Sequence, residues 1–277
     1  MLTVSQLFIY PIKSLGGFAT SKAKLTDRGF EHDRRWMLVD ENNGFLTQRE
    51  VPEMALLRVT LTEHGLLVTH KITGYHLDIP WQPETQEFTR TMVWDDLCRV
   101  QFVSPKADAW FSNQLGLRCK LLYMPDNSER KVDPNYASGL EITSLSDGYP
   151  LLILGQASLD DLNSRLDEHL PINRFRPNIV FTGGAPFEED EMKHFRINNI
   201  DFFGVKLCAR CPIPTINQES AERAKEPLKT LASYRKKDNK VYFGQNLLYR
   251  QTGTISVGDN IEIVEKIAPP ILFEMAP

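Results

Sequence analysis

Residues 55–79 read ALLRVTLTEHGLLVTHKITGYHLDI, and this stretch decides the class of fold. Three short apolar runs, at 55–61, 65–70 and 75–79, are set apart by turn-formers such as Gly65 and Gly74. Strands parted by short turns, with little helical periodicity, predict a barrel or a sandwich. Working upstream, Leu2, Val4, Leu7 and Ile9 fall near alternate positions, and RRWMLVD at 34–40 is a compact apolar run. The N-terminal part is therefore expected to be β-rich.

Downstream, helices enter. In ADAWFSNQLG, residues 107–116, the positions of Ala107, Trp110, Phe111 and Leu115 suit one helical face, with Gly116 as the stop. In ASLDDLNSRLDEHL, 157–170, Leu159, Leu162, Leu166 and Leu170 make one stripe, read as core packing. Ser158 is its predicted cap, with Asp161 completing an S-x-x-D box. Strands return at 175–184 and 200–211, and 217–230 is a polar loop or short helix. VYFGQNLLYR and GTISVGDNIEIVE then read as barrel strands, with a turn at Gly258-Asp259. The expected class is α+β and β-rich, with an N-terminal β-barrel unit over 1–120 and a second β-barrel with inserted helices over 121–277.

Composition narrows the function. The 277 residues are 42% hydrophobic and 25% charged with a formal net charge of −4, an ordinary globular balance without the basic surplus of a nucleic-acid binder. No run approaches the roughly 20 apolar residues that cross a bilayer, so no membrane partner is expected. MLTVSQLFIYPIKS has no basic leader, apolar core or twin arginine, which makes the cytoplasm the expected location.

Four cysteines make no disulfide framework. Cys208 and Cys211 form a C-x-x-C pair followed by Pro212. A zinc half-site would need two more ligands, yet Cys98 and Cys119 are isolated and no histidine stands at ligand spacing. A redox dithiol would want a helix after the motif, where Pro212 and Pro214 stand instead. One soft thiolate for a metal that brings its own ligands is a third use, and two small buried residues at a strand end a fourth. Spacing alone leaves these open. Arg210 would stabilise a nearby thiolate if it lies close. Lys13-Ser14 with Gly16-Gly17, then Arg34-Arg35 and Arg176, could grip phosphate if they converge, the glycine turn offering backbone amides. Singly, each is an ordinary surface charge.

YPIKS at 10–14, HDRRWMLVD at 32–40, LILGQASLDDLNSRL at 152–166, RFRPNIVFTGG at 174–184, CARC at 208–211 and EPLKTLASYR with GTISVGD together resemble, in the same order, the MOSC-domain proteins of the amidoxime-reducing branch. The likeness runs from about residue 2 to 265 and implies an N-terminal MOSC β-barrel followed by a MOSC β-barrel domain. It also implies a molybdenum–molybdopterin cofactor with Cys211 as its thiolate ligand and Cys208 as a neighbour. Lys13, Ser14, Arg34, Arg176 and Asn178 match positions that hold the pterin and its phosphate, Arg210 stands beside the ligand, and Asp147 matches an acid of the cleft.

The implied activity is reduction of small N-hydroxylated compounds, with Asp147 as a candidate proton source. Electrons would come from a separate ferredoxin- or flavin-reductase-type protein, because no iron–sulfur cysteine cluster precedes Pro277. The alternative is a cofactor carrier or sulfur-handling protein using the same Cys211. Two departures from the family pattern stand out. Gly148 and Tyr149 replace hydroxyl residues that can contact the cofactor in the mitochondrial members, and Pro214-Thr215-Ile216-Asn217 replaces T-T-V-D, which bears on substrate choice.

Overall fold

The phase of apolar residues in the first strand slips by one between Val4 and Leu7, and the computed structural model shows why. Strand Leu2–Ile9 shifts register against Ile179–Thr182 between Val4 and Gln6. A bulge there turns both halves of the strand inward, so Leu2, Val4, Leu7 and Ile9 are all buried. The structure describes residues 1–269 and 272.

Seven strands close a barrel. In order around it they are Leu151–Gly155, Ile179–Thr182, Leu2–Ile9, Asn260–Lys266, Met192–Ile197, Ile200–Ala209 and Lys240–Tyr249, the last pairing back onto the first. Its interior holds Leu7, Ile153, Ile179, Phe181, Phe195, Phe202 and Leu247. Closure leaves no free edge, and each strand needs apolar side chains on its inward face.

The other unit has a four-stranded sheet, in the order Trp36–Val39, Lys120–Tyr123, Asp96–Phe102, Phe88–Val93, and a meander of Leu57–Leu61, Gly65–His70 and His76–Pro80. Helix Pro105–Leu115 packs Ala107 and Phe111 against both. Ser104 caps it by accepting from the Ala107 amide at 3.2 Å, Pro105 supplies the first turn, and Gly116 ends it at φ 67°.

The sheets do not part at residue 120. Leu2–Ile9 belongs to the closed barrel of the second half, Lys22–Leu25 pairs with Gly253–Ser256, and Lys120–Tyr123 belongs to the first unit's sheet. The leucine helix also differs from expectation. It spans Gln156–Asn163 with Gly155 at the cap, so Ser158 lies inside its first turn. Leu159 and Leu162 are buried, but the helix stops short of Leu170 because the Asn163 side chain bonds both the amide and the carbonyl of Leu170. Those bonds hold 164–170 as a closed loop.

Candidate functional site

Lys13, Ser14, Arg34, Asp147, Arg176, Asn178, Cys208, Arg210 and Cys211 line one cavity of about 280 Å³, whereas Arg35, expected to join them, lines a separate one and pairs with Asp126 at 2.7 Å. Each comes from a strand end. Lys13 and Ser14 follow Leu2–Ile9, Arg34 precedes Trp36–Val39, and Asp147 precedes Leu151–Gly155. Arg176 and Asn178 lead into Ile179–Thr182, while Cys208, Arg210 and Cys211 close Ile200–Ala209. Backbone bonds lock these ends together: the Arg34 amide donates to Tyr10 O at 2.9 Å, and the Leu145 amide to Arg34 O at 2.9 Å. A larger cavity of about 1030 Å³, with Arg174, Asn217 and Gln218 in its wall, contains none of these nine residues.

Charge sets the character of the cavity. Lys13 Nζ donates to Leu145 O at 2.9 Å and to Asp147 Oδ1 at 2.7 Å. Burial outweighs that pairing at the enclosed ammonium and lowers the Lys13 pKa. At Asp147, crowding by protein atoms pushes the carboxyl up, but the Lys13 charge and hydrogen bond win and hold it well below the usual range. Its side chain is 68% exposed because it projects into the open cavity. Asp147 is therefore a carboxylate at neutral pH. It accepts and orients; the expected role as a resting proton donor does not suit it.

Arg34 and Arg176 both lie over the Tyr10 ring, at 4.4 and 4.3 Å from its centroid. Arg34 Nη1 donates to Asp33 Oδ2 and to Asn178 Oδ1, and Nη2 to Arg176 O at 3.2 Å. Arg176 Nη1 donates to Leu15 O at 2.7 Å, and no carboxylate pairs with it among the described residues. Burial, then repulsion from Arg34, pulls its pKa down to about 10. Burial likewise pushes the Tyr10 phenol up to about 12 despite both arginines.

Four cations, Lys13, Arg34, Arg176 and Arg210, thus face two carboxylates, Asp33 and Asp147, a surplus of two positive charges. Arg210 Nε is enclosed with no partner among the described residues. A dianionic phosphate monoester complements both features. Among the described residues no three His, Cys, Asp or Glu side chains converge as a self-contained metal site. Cys211 can offer one thiolate to a metal that arrives with other ligands, so the residues present fit a molybdenum–pterin group.

The surroundings of several of these residues add detail. Arg210 Nη1 donates to Cys208 Sγ at 3.2 Å, a thiol whose pKa burial raises and Arg210 partly restores. Asn178 lines the cavity, yet Oδ1 accepts from Arg34 and the Leu152 amide while Nδ2 donates to Phe8 O, which makes it a strut. The Gly16 amide is spent on Leu57 O at 2.9 Å and offers nothing to an anion. A Cβ on Gly17 would sit 2.3 Å from Ile9 O and 2.5 Å from the Tyr10 ring, so close packing explains that glycine. Asn217 binds the Glu219 and Ser220 amides and faces the larger cavity. It does not line this one.

Sequence reasoning missed Tyr10, the shared platform of both arginines, and Trp94, which reaches the cavity rim from the hairpin between Phe88–Val93 and Asp96–Phe102. Only the Asp95-Asp96 pair signals a turn beside Trp94, and nothing local says where the turn points.

Residues 1–118 match the model of the MOSC N-terminal beta barrel domain, and residues 141–262 that of the MOSC domain. The chain is 31% identical over 280 residues to mouse mitochondrial amidoxime-reducing component 1, covering 95% of this chain and 82% of that protein. It is 30% identical to the human protein of the same name, over 95% and 83% of the two chains. A molybdenum cofactor sulfurase of Arabidopsis thaliana is 31% identical over 93% of this chain, which spans only 35% of the sulfurase.

Proposed function

The chain belongs to the family of MOSC-domain proteins that carry the N-terminal MOSC β-barrel, and on that footing we propose that it is a molybdenum-cofactor-dependent oxidoreductase that reduces N-hydroxylated compounds with electrons from a separate donor protein. One observation carries the reading: residues scattered from Lys13 to Cys211 meet in one cavity with two unmatched positive charges. Amidoxime-reducing relatives matched over most of their own length favour reduction over the sulfurase-like alternative, where only a third of the relative is matched.

When bound, the cofactor supplies a two-electron couple able to accept the oxygen of an N–O bond. The chain does the rest. Arg176 and Arg210, the cations without a carboxylate of their own, would neutralise the phosphate, and Ser14 lines the same cavity. Cys211 would provide the thiolate. Asp147 would accept a hydrogen bond from a substrate N–H through Oδ2, since Oδ1 is held by Lys13 and Trp94. Four non-glycine residues with left-handed backbone, Ser14, Arg34, Trp94 and Arg176, line the cavity, and strain of this kind gathers where geometry serves chemistry.

The test is elemental analysis of protein made in a host that synthesises the cofactor, followed by turnover with a chemical reductant and a panel of N-hydroxylated compounds. The expected result is about one molybdenum per chain, lost in Cys211→Ala, and reduction of the panel. Zinc in its place, or no metal, overturns the proposal. Bound molybdenum without turnover would instead favour the carrier or sulfur-handling reading.

A further inference from the structure

Strands Phe88–Val93 and Asp96–Phe102 are joined by a two-residue turn, Trp94-Asp95, closed by the Val93–Asp96 pair. Trp94 has φ 58°, and Asp95 is not among the residues of positive φ. A tight hairpin whose first central residue alone is left-handed normally has glycine there, since a Cβ is strained in that region. A tryptophan in that place is a costly choice. It also leaves a large aromatic ring 44% exposed.

Neighbours hold the ring in one position. Arg49 covers one face at 4.5 Å from the centroid, and Phe45 meets it edge-on at 5.6 Å. The indole Nε1 donates to Asp147 Oδ1 at 3.3 Å. The remainder of the ring lies at the cavity rim, beside a carboxylate whose other oxygen takes no hydrogen bond among the described residues. The site therefore pairs an aromatic surface with an acceptor for N–H groups. A flat, unsaturated molecule bearing an amidine-like N–H edge satisfies both; a small saturated one reaches only the second.

We propose that Trp94 is a specificity-determining residue: its fixed indole stacks on the planar part of a substrate whose N–H edge meets Asp147, and so favours aryl and heteroaryl N-hydroxylated compounds over small aliphatic ones. This rests on the reductase reading above. The strained turn presents the ring, and the N-terminal unit thereby contributes directly to substrate choice in a cavity whose thiol comes from the other barrel.

The test compares cofactor-loaded wild type, Trp94→Gly and Trp94→Phe. Benzamidine and acetamidine, which carry no N–O bond, are titrated by calorimetry, and kcat/KM is measured for benzamidoxime and for hydroxylamine. Trp94→Gly is expected to lower both the benzamidine-to-acetamidine affinity ratio and the benzamidoxime-to-hydroxylamine kcat/KM ratio about 3- to 10-fold, mainly through KM. Trp94→Phe keeps a ring and should hold both ratios within about twofold. Because the turn favours glycine, Trp94→Gly should melt no lower than wild type, which separates lost stacking from unfolding. Unchanged ratios in Trp94→Gly overturn the proposal, and so does an equal fall in Trp94→Phe, which would assign the effect to the Asp147 hydrogen bond. Molybdenum lost from Trp94→Gly also overturns it, by making Trp94 a cofactor residue. Loaded wild type that reduces neither substrate refutes the reductase reading alone, and the two amidines still decide the role of Trp94.

Discussion

Glu189 is enclosed on all sides: Oε2 accepts from Ser158 Oγ at 2.8 Å, Oε1 has no partner among the described residues, and Asp190 stands beside it. Burial, then the Asp190 charge, raises its carboxyl from 4.5 to about 7. A carboxyl raised in the folded state favours folding while protonated. That contribution is complete below the ordinary value and is lost as the pH climbs through about 7. Glu189→Gln should therefore melt with wild type near the ordinary carboxylate range and several degrees above it on the alkaline side of neutrality. Melting curves across that window check this, and a constant offset would show that Glu189 is not the titrating group. None of this was legible in residues 188–191, which read E-E-D-E, because only the fold decides which acid is enclosed. Lys13, Arg34, Arg176 and Cys211 were legible for a different reason: ordered motifs named them, while their spacing in the chain could not bring them together. Asp147 was named too, but its ionisation depends on Lys13, 134 residues away.

Local signals served elements whose boundaries are set by local groups. Gly65 and Gly116 punctuate the chain where strands and helix change, and Ser104 caps its own helix. The leucine helix shows the limit, because a long-range bond overrides the capping pattern. Ser158 Oγ accepts from the Phe187 amide at 2.7 Å and donates to Glu189, joining the helix to residues 187–189. Asp161, its expected partner in the box, instead pairs with Arg165 one turn on, half-exposed. Ser158→Ala leaves a buried carboxyl and a part-buried amide without this partner and should cost about 1–3 kcal/mol. Asp161→Asn removes a surface pair of about 0.3–0.5 kcal/mol. Denaturant unfolding of the two variants side by side decides the matter. A larger loss at Asp161 would restore the capping box and undo this account of the helix.

At the scale of the molecule, chain order and spatial order part company. The first strand completes the barrel built from the second half, wedged between Ile179–Thr182 and Asn260–Lys266. The cavity is likewise shared, with Lys13, Arg34 and Trp94 from the first part of the chain and Cys211 from the second. The family motifs had already assigned Lys13, Arg34 and Cys211 to one site, but nothing in the sequence showed the strand exchange, because a barrel strand looks alike whichever barrel it joins. Without Leu2–Ile9, both neighbouring strands would expose unpaired backbone, and the core would lose Leu2, Val4, Leu7 and Ile9. The fragment 139–277, cut in a stretch with exposed Ser138 and Leu140, should therefore aggregate or lack a cooperative melting transition when made alone. Co-expressed with 1–138, it should assemble as a one-to-one complex that melts cooperatively, because the missing strand then enters from the other fragment. Size-exclusion chromatography and circular dichroism read both outcomes. If 139–277 alone melts cooperatively as a soluble monomer, the barrel does not depend on the strand that closes it, and the two halves are independent where the pairing makes them one.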